Sequence, residues 1–302
     1  MFGVTILGNN SAVPAYNRHP TAQIITIHDQ LLLFDCGEGT QMQIAKYKIR
    51  WGKIKYIFIS HLHGDHYFGL IGLITSMCLL GREDPLHIHG PALLKDIISI
   101  QLNAAATTVP FEIIFNSLGS DGIVVDEKRY TVECFATRHR IECRGFIVRE
   151  KRKPRKINKE TIHNYHIPTT YFDRLKDGED FIAKDSSVVK NEWVTVENAP
   201  GRSYAYSGDT LYDPNVAEKV KGVSLLYHES TYLKAMGENA IRRFHSTTHQ
   251  AASIALQAGV DKLIIGHFSS KYEHLDVFLN EAKEVFENTY LATEGATHRI
   301  QF

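Results

Sequence analysis

The chain has little that would tie it to a membrane, an oxidising compartment or a broadly charged partner. Its 302 residues carry 34 Lys and Arg against 34 Asp and Glu, a formal balance of zero. No global field draws it toward polyanions, so nucleic-acid binding would have to rest on local patches. Only four cysteines occur, Cys36, Cys78, Cys134 and Cys143, scattered without CxxC spacing. That excludes an obvious disulfide framework and fits reduced thiols in a cytoplasm. The start, Met1 to Gly8, has no basic segment and reads as a first strand rather than a leader peptide. The longest apolar run, Tyr67 to Gly81, is too short to span a bilayer. The expectation is a soluble cytoplasmic protein with no membrane partner. A hydrophobic content of 43% is ample for a core.

What the chain does have is histidine in one place. Ser60-His-Leu-His-Gly-Asp-His66 packs three imidazoles and a carboxylate into six positions, a density of zinc-type ligands that a folding core has no use for. A lone buried His is ordinarily just hydrogen-bonded, but four ligand types at this spacing are not explained that way. The run follows Lys55 to Ile59, which reads as a buried strand, and precedes Tyr67 to Leu80, which reads as a helix. The ligands thus sit on a strand-to-helix turn, where catalytic groups are commonly presented. His61 and His63 point to one side of an extended chain. Asp65 and His66 diverge, which suits a second ion. Further ligands are then needed downstream, and three strand ends offer them: His139, Asp209 and His267.

The organisation supports one large α/β unit. Strands are expected at 3–7, 22–27, 31–34, 56–59, 86–89, 111–115, 130–135, 204–207, 224–228 and 262–265, and helices at 39–48, 67–80, 92–102, 248–257 and 274–288. Two similar mixed halves imply sheets packed face to face with helices outside. Residues 150–200 break the pattern. They open on the basic Glu150-Lys-Arg-Lys-Pro-Arg-Lys156 and continue polar, with room for a short helix in 164–180, as an insertion standing off the core. A basic run is ordinarily a solvated linker; a phosphate-gripping arm is the sharper reading. Other histidines are weaker candidates. His87 and His89 have the HxH spacing but sit in an alternating strand with no following carboxylate. His163 and His166 lie in the insertion, His228 reads as a buried hydrogen-bonding group, and His249 falls in a helix.

These residues resemble the metallo-β-lactamase superfamily, through His61-Leu-His-Gly-Asp-His66 with His139, Asp209 and His267. More narrowly the chain is similar to the ribonuclease Z family of tRNA 3′-processing endonucleases, through Phe34-Asp-Cys-Gly-Glu-Gly-Thr-Gln41, Leu226-Tyr-His-Glu-Ser-Thr231, His245-Ser-Thr247 and Gly266-His-Phe-Ser-Ser270. The resemblance runs from Met1 to about Lys271. It implies a four-layer αββα sandwich over residues 1–302, with 150–200 as a protruding arm that grips tRNA. It implies two Zn2+ per subunit: one on His61, His63, His139 and Asp209, the other on Asp65, His66, Asp209 and His267, with Asp209 bridging. Asp35 is implied as a buttress of the metal loop rather than a ligand.

The implied reaction is attack of metal-held hydroxide on the phosphodiester of precursor tRNA after the discriminator, leaving a tRNA 3′-hydroxyl. Asp65 would orient the nucleophile, His245 would protonate the departing O3′, and Glu229 would hydrogen-bond His245 and keep it charged. Substrate contacts are expected from Arg18, Ser246 and Thr247, and from Lys151, Arg152, Lys153, Arg155 and Lys156 on the arm. Family members act as homodimers, the arm of one subunit serving the site of the other. The chain departs from the family at Pro14-Ala-Tyr-Asn-Arg-His19, where the pattern is Pro-x-Lys-x-Arg-Asn: Tyr16 replaces the Lys and His19 the Asn. The arm's Gly-Pro signature is also absent, Ile167-Pro-Thr-Thr-Tyr171 standing in its place. Two rivals are weighed. A small-substrate phosphodiesterase or esterase of the same superfamily would have little use for a basic arm or for His245. A metal-free binding module would be expected to have lost ligands, yet all seven are present.

Overall fold

The computed structural model describes residues 1–301. Two seven-stranded sheets face one another. In spatial order the first contains Thr297–Arg299, Phe2–Gly8, Ala22–Ile27, Gln30–Cys36, Ile54–Phe58, Leu86–Gly90 and Ile113–Ser117. The second contains Thr289–Leu291, Leu263–Gly266, Leu225–Glu229, Ser203–Tyr206, Arg144–Glu150, Tyr130–Ala136 and Gly122–Asp126. Alternation along each strand sends one set of side chains between the sheets and the other toward helices.

Three apolar layers follow. Between the sheets, Phe34, Phe58, Phe146, Tyr204 and Tyr206 interlock, with Phe34 and Phe58 rings edge to face at 5.1 Å. Outside the first sheet, Leu33, Ile57 and Ile88 meet the helices Thr40–Lys46, Leu70–Leu79 and Leu94–Ala104. Outside the second, Ala205, Leu226 and Ile265 meet Thr248–Ala258 and Asp276–Lys283. This is the expected αββα sandwich. The helix expected at 67–80 is two pieces, Gly64–Tyr67 and Leu70–Leu79, because the first begins inside the histidine motif itself. The helix expected at 274–288 is shorter, Asp276–Lys283. The strands Gly122–Asp126 and Arg144–Glu150 lack a clean period-2 signal in the sequence and appear only in the fold.

Residues 151–201 leave and rejoin the second sheet at one point. The Glu150 amide donates to the Arg202 carbonyl at 2.9 Å, and Glu150 pairs with the Arg202 guanidinium at 2.7 Å. Within the segment, Lys156–Ile157 pairs with Thr195–Val196 and Phe181–Ile182 with Val188–Val189. A small core of Ile162, Ile167, Leu175, Val189 and Val194 holds it together. The sequence reads as almost featureless here because five buried side chains across some thirty residues show no period. The expected short helix is Phe172–Lys176. Among the described residues no helix is long and apolar enough to cross a membrane.

Candidate metal centre

Loops at one edge of the two sheets bring the seven expected ligands together. The strand Ile54–Phe58 delivers Ser60 to His66; strand ends in the second sheet deliver His139, Asp209 and His267. His61, His63, His139 and Asp209 have ligand atoms within 4.8 Å of one another, as do Asp65, His66 and His267. His61 Nε2 lies 2.9 Å from His63 Nδ1, and His139 Nε2 lies 3.1 Å from the same atom. Asp209 reaches both groups: Oδ2 is 3.5 Å from His61 Nε2 and 3.3 Å from His66 Nε2, while Oδ1 is 3.3 Å from His267 Nε2. Asp209 follows Gly208, whose φ is +61° and where a Cβ would come 2.7 Å from the Arg144 carbonyl oxygen. That turn needs glycine.

The imidazoles are fixed by their far nitrogens. His66 Nδ1 lies 2.7 Å from Asp35 Oδ2, His139 Nδ1 2.8 Å from the Phe244 carbonyl, His267 Nδ1 2.8 Å from Thr231 Oγ1 and His61 Nδ1 3.0 Å from Ser60 Oγ. Such partners orient metal ligands and fix their tautomers. Asp35 also accepts from the Ser60 amide at 2.7 Å, Ser60 Oγ at 2.8 Å and Tyr206 Oη at 2.6 Å. It is a clamp, as its place in the motif implies. Asp35, Phe244 and His267 all have positive φ (+55°, +61° and +60°), backbone strain of the kind that surrounding contacts must enforce.

Electrostatics supports a cationic occupant. Asp35, Asp209 and Glu229 are fully buried within one cluster, and Asp65 is nearly so. Burial, reinforced by neighbouring imidazoles, keeps His61 well below its ordinary pKa, and burial holds His63 down to about 4. Both are therefore neutral with lone pairs to offer. His66 is the reverse: burial opposes its charge, but Asp209, Asp65 and Asp35 push it well above the ordinary value. Buried carboxylates that draw protons onto a neighbouring imidazole mark a place where cations would offset their charge. A donor set of three nitrogens and one carboxylate is the zinc-type set. The residues fit divalent metal ions.

His245 stands beside this cluster, 3.9 Å from Asp209 through Nδ1, and lines the same cleft. Its Nδ1 lies 3.0 Å from Glu229 Oε1. Burial opposes the imidazolium, but the Glu229 charge and hydrogen bond prevail, raising His245 to about 9. Glu229 also accepts from the amides of Thr210, Ser246 and Thr231 at 3.1, 3.0 and 3.1 Å, and from Thr231 Oγ1 at 2.9 Å. The expected pairing of Glu229 with His245 is present.

Of the other expected substrate residues, Ser246 and Thr247 are placed inward. Ser246 is buried, its Oγ donating to the Thr210 carbonyl, and Thr247 caps the helix Thr248–Ala258 in a capping box with Gln250. Both build the segment that holds His245. Arg18 spends its guanidinium on Asn10 Oδ1 at 3.0 Å and on the carbonyls of Glu273 and Tyr272 at 2.9 and 2.5 Å. On the arm, Lys151 pairs with Asp126, Arg152 with Glu197 at 3.0 Å and Arg155 with Glu197 at 3.2 Å. Lys153 and Lys156 are exposed and have no acidic partner among the described residues. His89 stacks on Phe58 at 4.8 Å and joins no ligand group, and His228 Nδ1 meets the Glu229 carbonyl region at 2.7 Å. The cleft measures about 670 Å³, and its lining includes Phe68, Arg140, Tyr232, Arg242, Arg243 and Lys271. Sequence reasoning missed these six. The Arg242-Arg243 pair three residues before His245 was the one local signal.

Comparison with known proteins gives one family model and a set of relatives that carry different names. The sequence matches over residues 2–276 the model of a family described as Anti-Pycsar protein Apyc1. It is 40% identical over 296 residues to a Bacteroides fragilis protein named ribonuclease Z, covering 97% of each chain. It is also 40% identical over 302 residues to a ribonuclease Z of Cytophaga hutchinsonii, covering 99% of this chain and 96% of the other. Among solved structures, the human tRNase Z short form superposes with TM-score 0.73 at 26% identity, covering 99% of this chain and 100% of that one. The metallo-β-lactamase fold protein YhfI of Bacillus subtilis superposes at 0.70 with 19% identity, covering 99% and 100%, a likeness of fold.

Proposed function

The chain belongs to the ribonuclease Z family of the metallo-β-lactamase superfamily, and on that premise we propose that it hydrolyses one phosphodiester of precursor tRNA to release the 3′ trailer. Metal binding follows from the family and from the His/Asp cluster. The finer assignment is two Zn2+ per subunit, one held by His61, His63, His139 and Asp209, the other by Asp65, His66, Asp209 and His267. When bound, such ions lower the pKa of a shared water toward 7 and offset charge on the non-bridging phosphate oxygens.

The chain's own residues supply the rest. Asp65 Oδ2 accepts from the Ala12 amide at 2.7 Å, which fixes the carboxylate so that it can accept a hydrogen bond from the attacking water. His245 gives its proton to the departing O3′, which would otherwise leave as an alkoxide. Glu229 holds that imidazole in orientation and keeps it protonated. The products are a tRNA ending in a 3′-hydroxyl and a trailer beginning with a 5′-phosphate. The single observation that carries the reading is this placement: a charged, carboxylate-held histidine beside seven converged metal ligands.

The arm supplies phosphate contacts from Lys153 and Lys156, and its three ion-paired cations shape the surface rather than present free charge. In a homodimer the arm of one subunit would serve the cleft of the other, in the cytoplasm. A second reading is kept because the matched family model bears a different name: a phosphodiesterase of small substrates, for which the cleft suffices and the arm is idle. Incubating the purified protein with precursor tRNA and mapping the ends separates the two. A 3′-hydroxyl directly after the discriminator supports the ribonuclease; hydrolysis of bis-p-nitrophenyl phosphate without any tRNA cleavage supports the rival.

A further inference from the structure

The two walls of the catalytic cleft are chemically unlike. The wall built on the second sheet carries its cations: Arg140, Arg242, Arg243 and Lys271. The wall built on the first sheet offers Val13, Pro14, Pro20 and Phe68, with Glu38 its one charge besides the ligands. Phe68 is 61% exposed, two residues after His66, and lines the cleft. Its position is supported by the backbone. A Cβ on Gly64 would lie 2.3, 2.6 and 2.7 Å from three carbons of the Phe68 ring. The ring therefore packs over a glycine that leaves room for it, and Tyr67 meets it edge-on at 5.0 Å. An apolar ring held by Gly64 and Tyr67 yet largely exposed, in the lining of the cleft that holds the ligand cluster, is a stacking surface for a nucleobase.

The proton donor gives the substrate a direction. His245 serves the departing O3′, which stays on the tRNA, and His245 stands on the second-sheet side with Arg242 and Arg243. The tRNA terminus then follows the cationic wall, where its phosphates are matched. The other side of the scissile phosphate, the first nucleoside of the trailer, is left to the apolar wall. We propose that Phe68 is the stacking platform for the base of the first trailer nucleotide, a positioning role that rests on the ribonuclease reading above.

The test compares precursor tRNAs with a normal or an abasic first trailer nucleotide, through kcat/KM for wild type, Phe68→Leu and Phe68→Trp. Wild type and Phe68→Trp should prefer the normal substrate by roughly tenfold, the scale of one base–aromatic stack. Phe68→Leu should show a ratio near one. Each ratio is taken on a single preparation, so any loss of metal or folded protein cancels. A Phe68→Leu ratio equal to that of wild type overturns the proposal. So does an abasic penalty at the discriminator, rather than at the trailer, that Phe68→Leu abolishes. Absence of tRNA cleavage by wild type overturns the ribonuclease reading and this proposal with it. Cleavage with an unchanged ratio removes the Phe68 role alone.

Discussion

At the cleft, Asp35 alone ties Ser60, His66 and Tyr206 together, whereas on the arm Lys153 and Lys156 reach solvent with no acidic partner among the described residues. The cleft is preorganised: its candidate ligands are buried or part-buried, several are oriented by second partners, and the backbone is partly strained. The arm is a small satellite with a five-residue buried core, joined to the sandwich at Glu150 and Arg202. Metal-assisted chemistry needs ligands held within fractions of an ångström. Recognition of a polyanion needs only charge at the right distance, and tolerates a looser frame. The two regions should therefore respond to mutation in different ways.

The largest loss is expected at the residue shared by both ligand groups. Asp209→Ala should abolish binding of both ions by metal analysis and reduce turnover of tRNA and small diester alike, by at least about a thousandfold. Retention of two ions per chain would break the bridging assignment. Next comes His245→Ala, expected to slow tRNA cleavage by about 10²–10⁴-fold, the scale of a general acid. Bis-p-nitrophenyl phosphate has a leaving group that needs no proton, so it should be far less affected; equal losses on both substrates would remove His245 from the acid role.

Glu229→Gln sharpens the same point through pH. His245 acts protonated, and Glu229 raises it to about 9. Removing that charge lowers the pKa, so the alkaline limb of the rate profile should move to lower pH. A limb that stays in place contradicts the pairing. Asp35→Asn is milder, expected to weaken metal affinity about 10–100-fold, as loss of an orienting partner does. The smallest effect belongs to the arm. Lys153→Glu with Lys156→Glu should raise KM for tRNA and lower the salt dependence of binding, by a log–log slope of about one per lost phosphate contact. Small-diester turnover should not follow.

How much of this was legible in the sequence differs between the same two regions. The seven residues that converge at the cleft, Asp35 beside them and the contact between Glu229 and His245 were readable, because short-range motifs sit at strand ends and strands are marked by their own periodicity. Ser246 and Thr247 belong to a motif whose purpose is to hold His245, and the sequence does not reveal that their hydroxyl groups face inward. Arg18 reads as a free cation, yet its guanidinium is consumed by carbonyls some 250 positions away, a tertiary fact with no local trace. On the arm, charge was legible but pairing was not: Asp126 and Glu197, which neutralise Lys151, Arg152 and Arg155, lie 25 to 45 residues distant. Phe68 escaped notice because an exposed aromatic looks the same in sequence as a buried one.

The division of labour between cleft and arm is tested most directly by replacing residues 151–201 with a short linker between Glu150 and Arg202, then measuring both substrates on metal-replete protein. The account predicts that cleavage of precursor tRNA is lost while bis-p-nitrophenyl phosphate is still hydrolysed. Undiminished tRNA cleavage by the armless chain would contradict it.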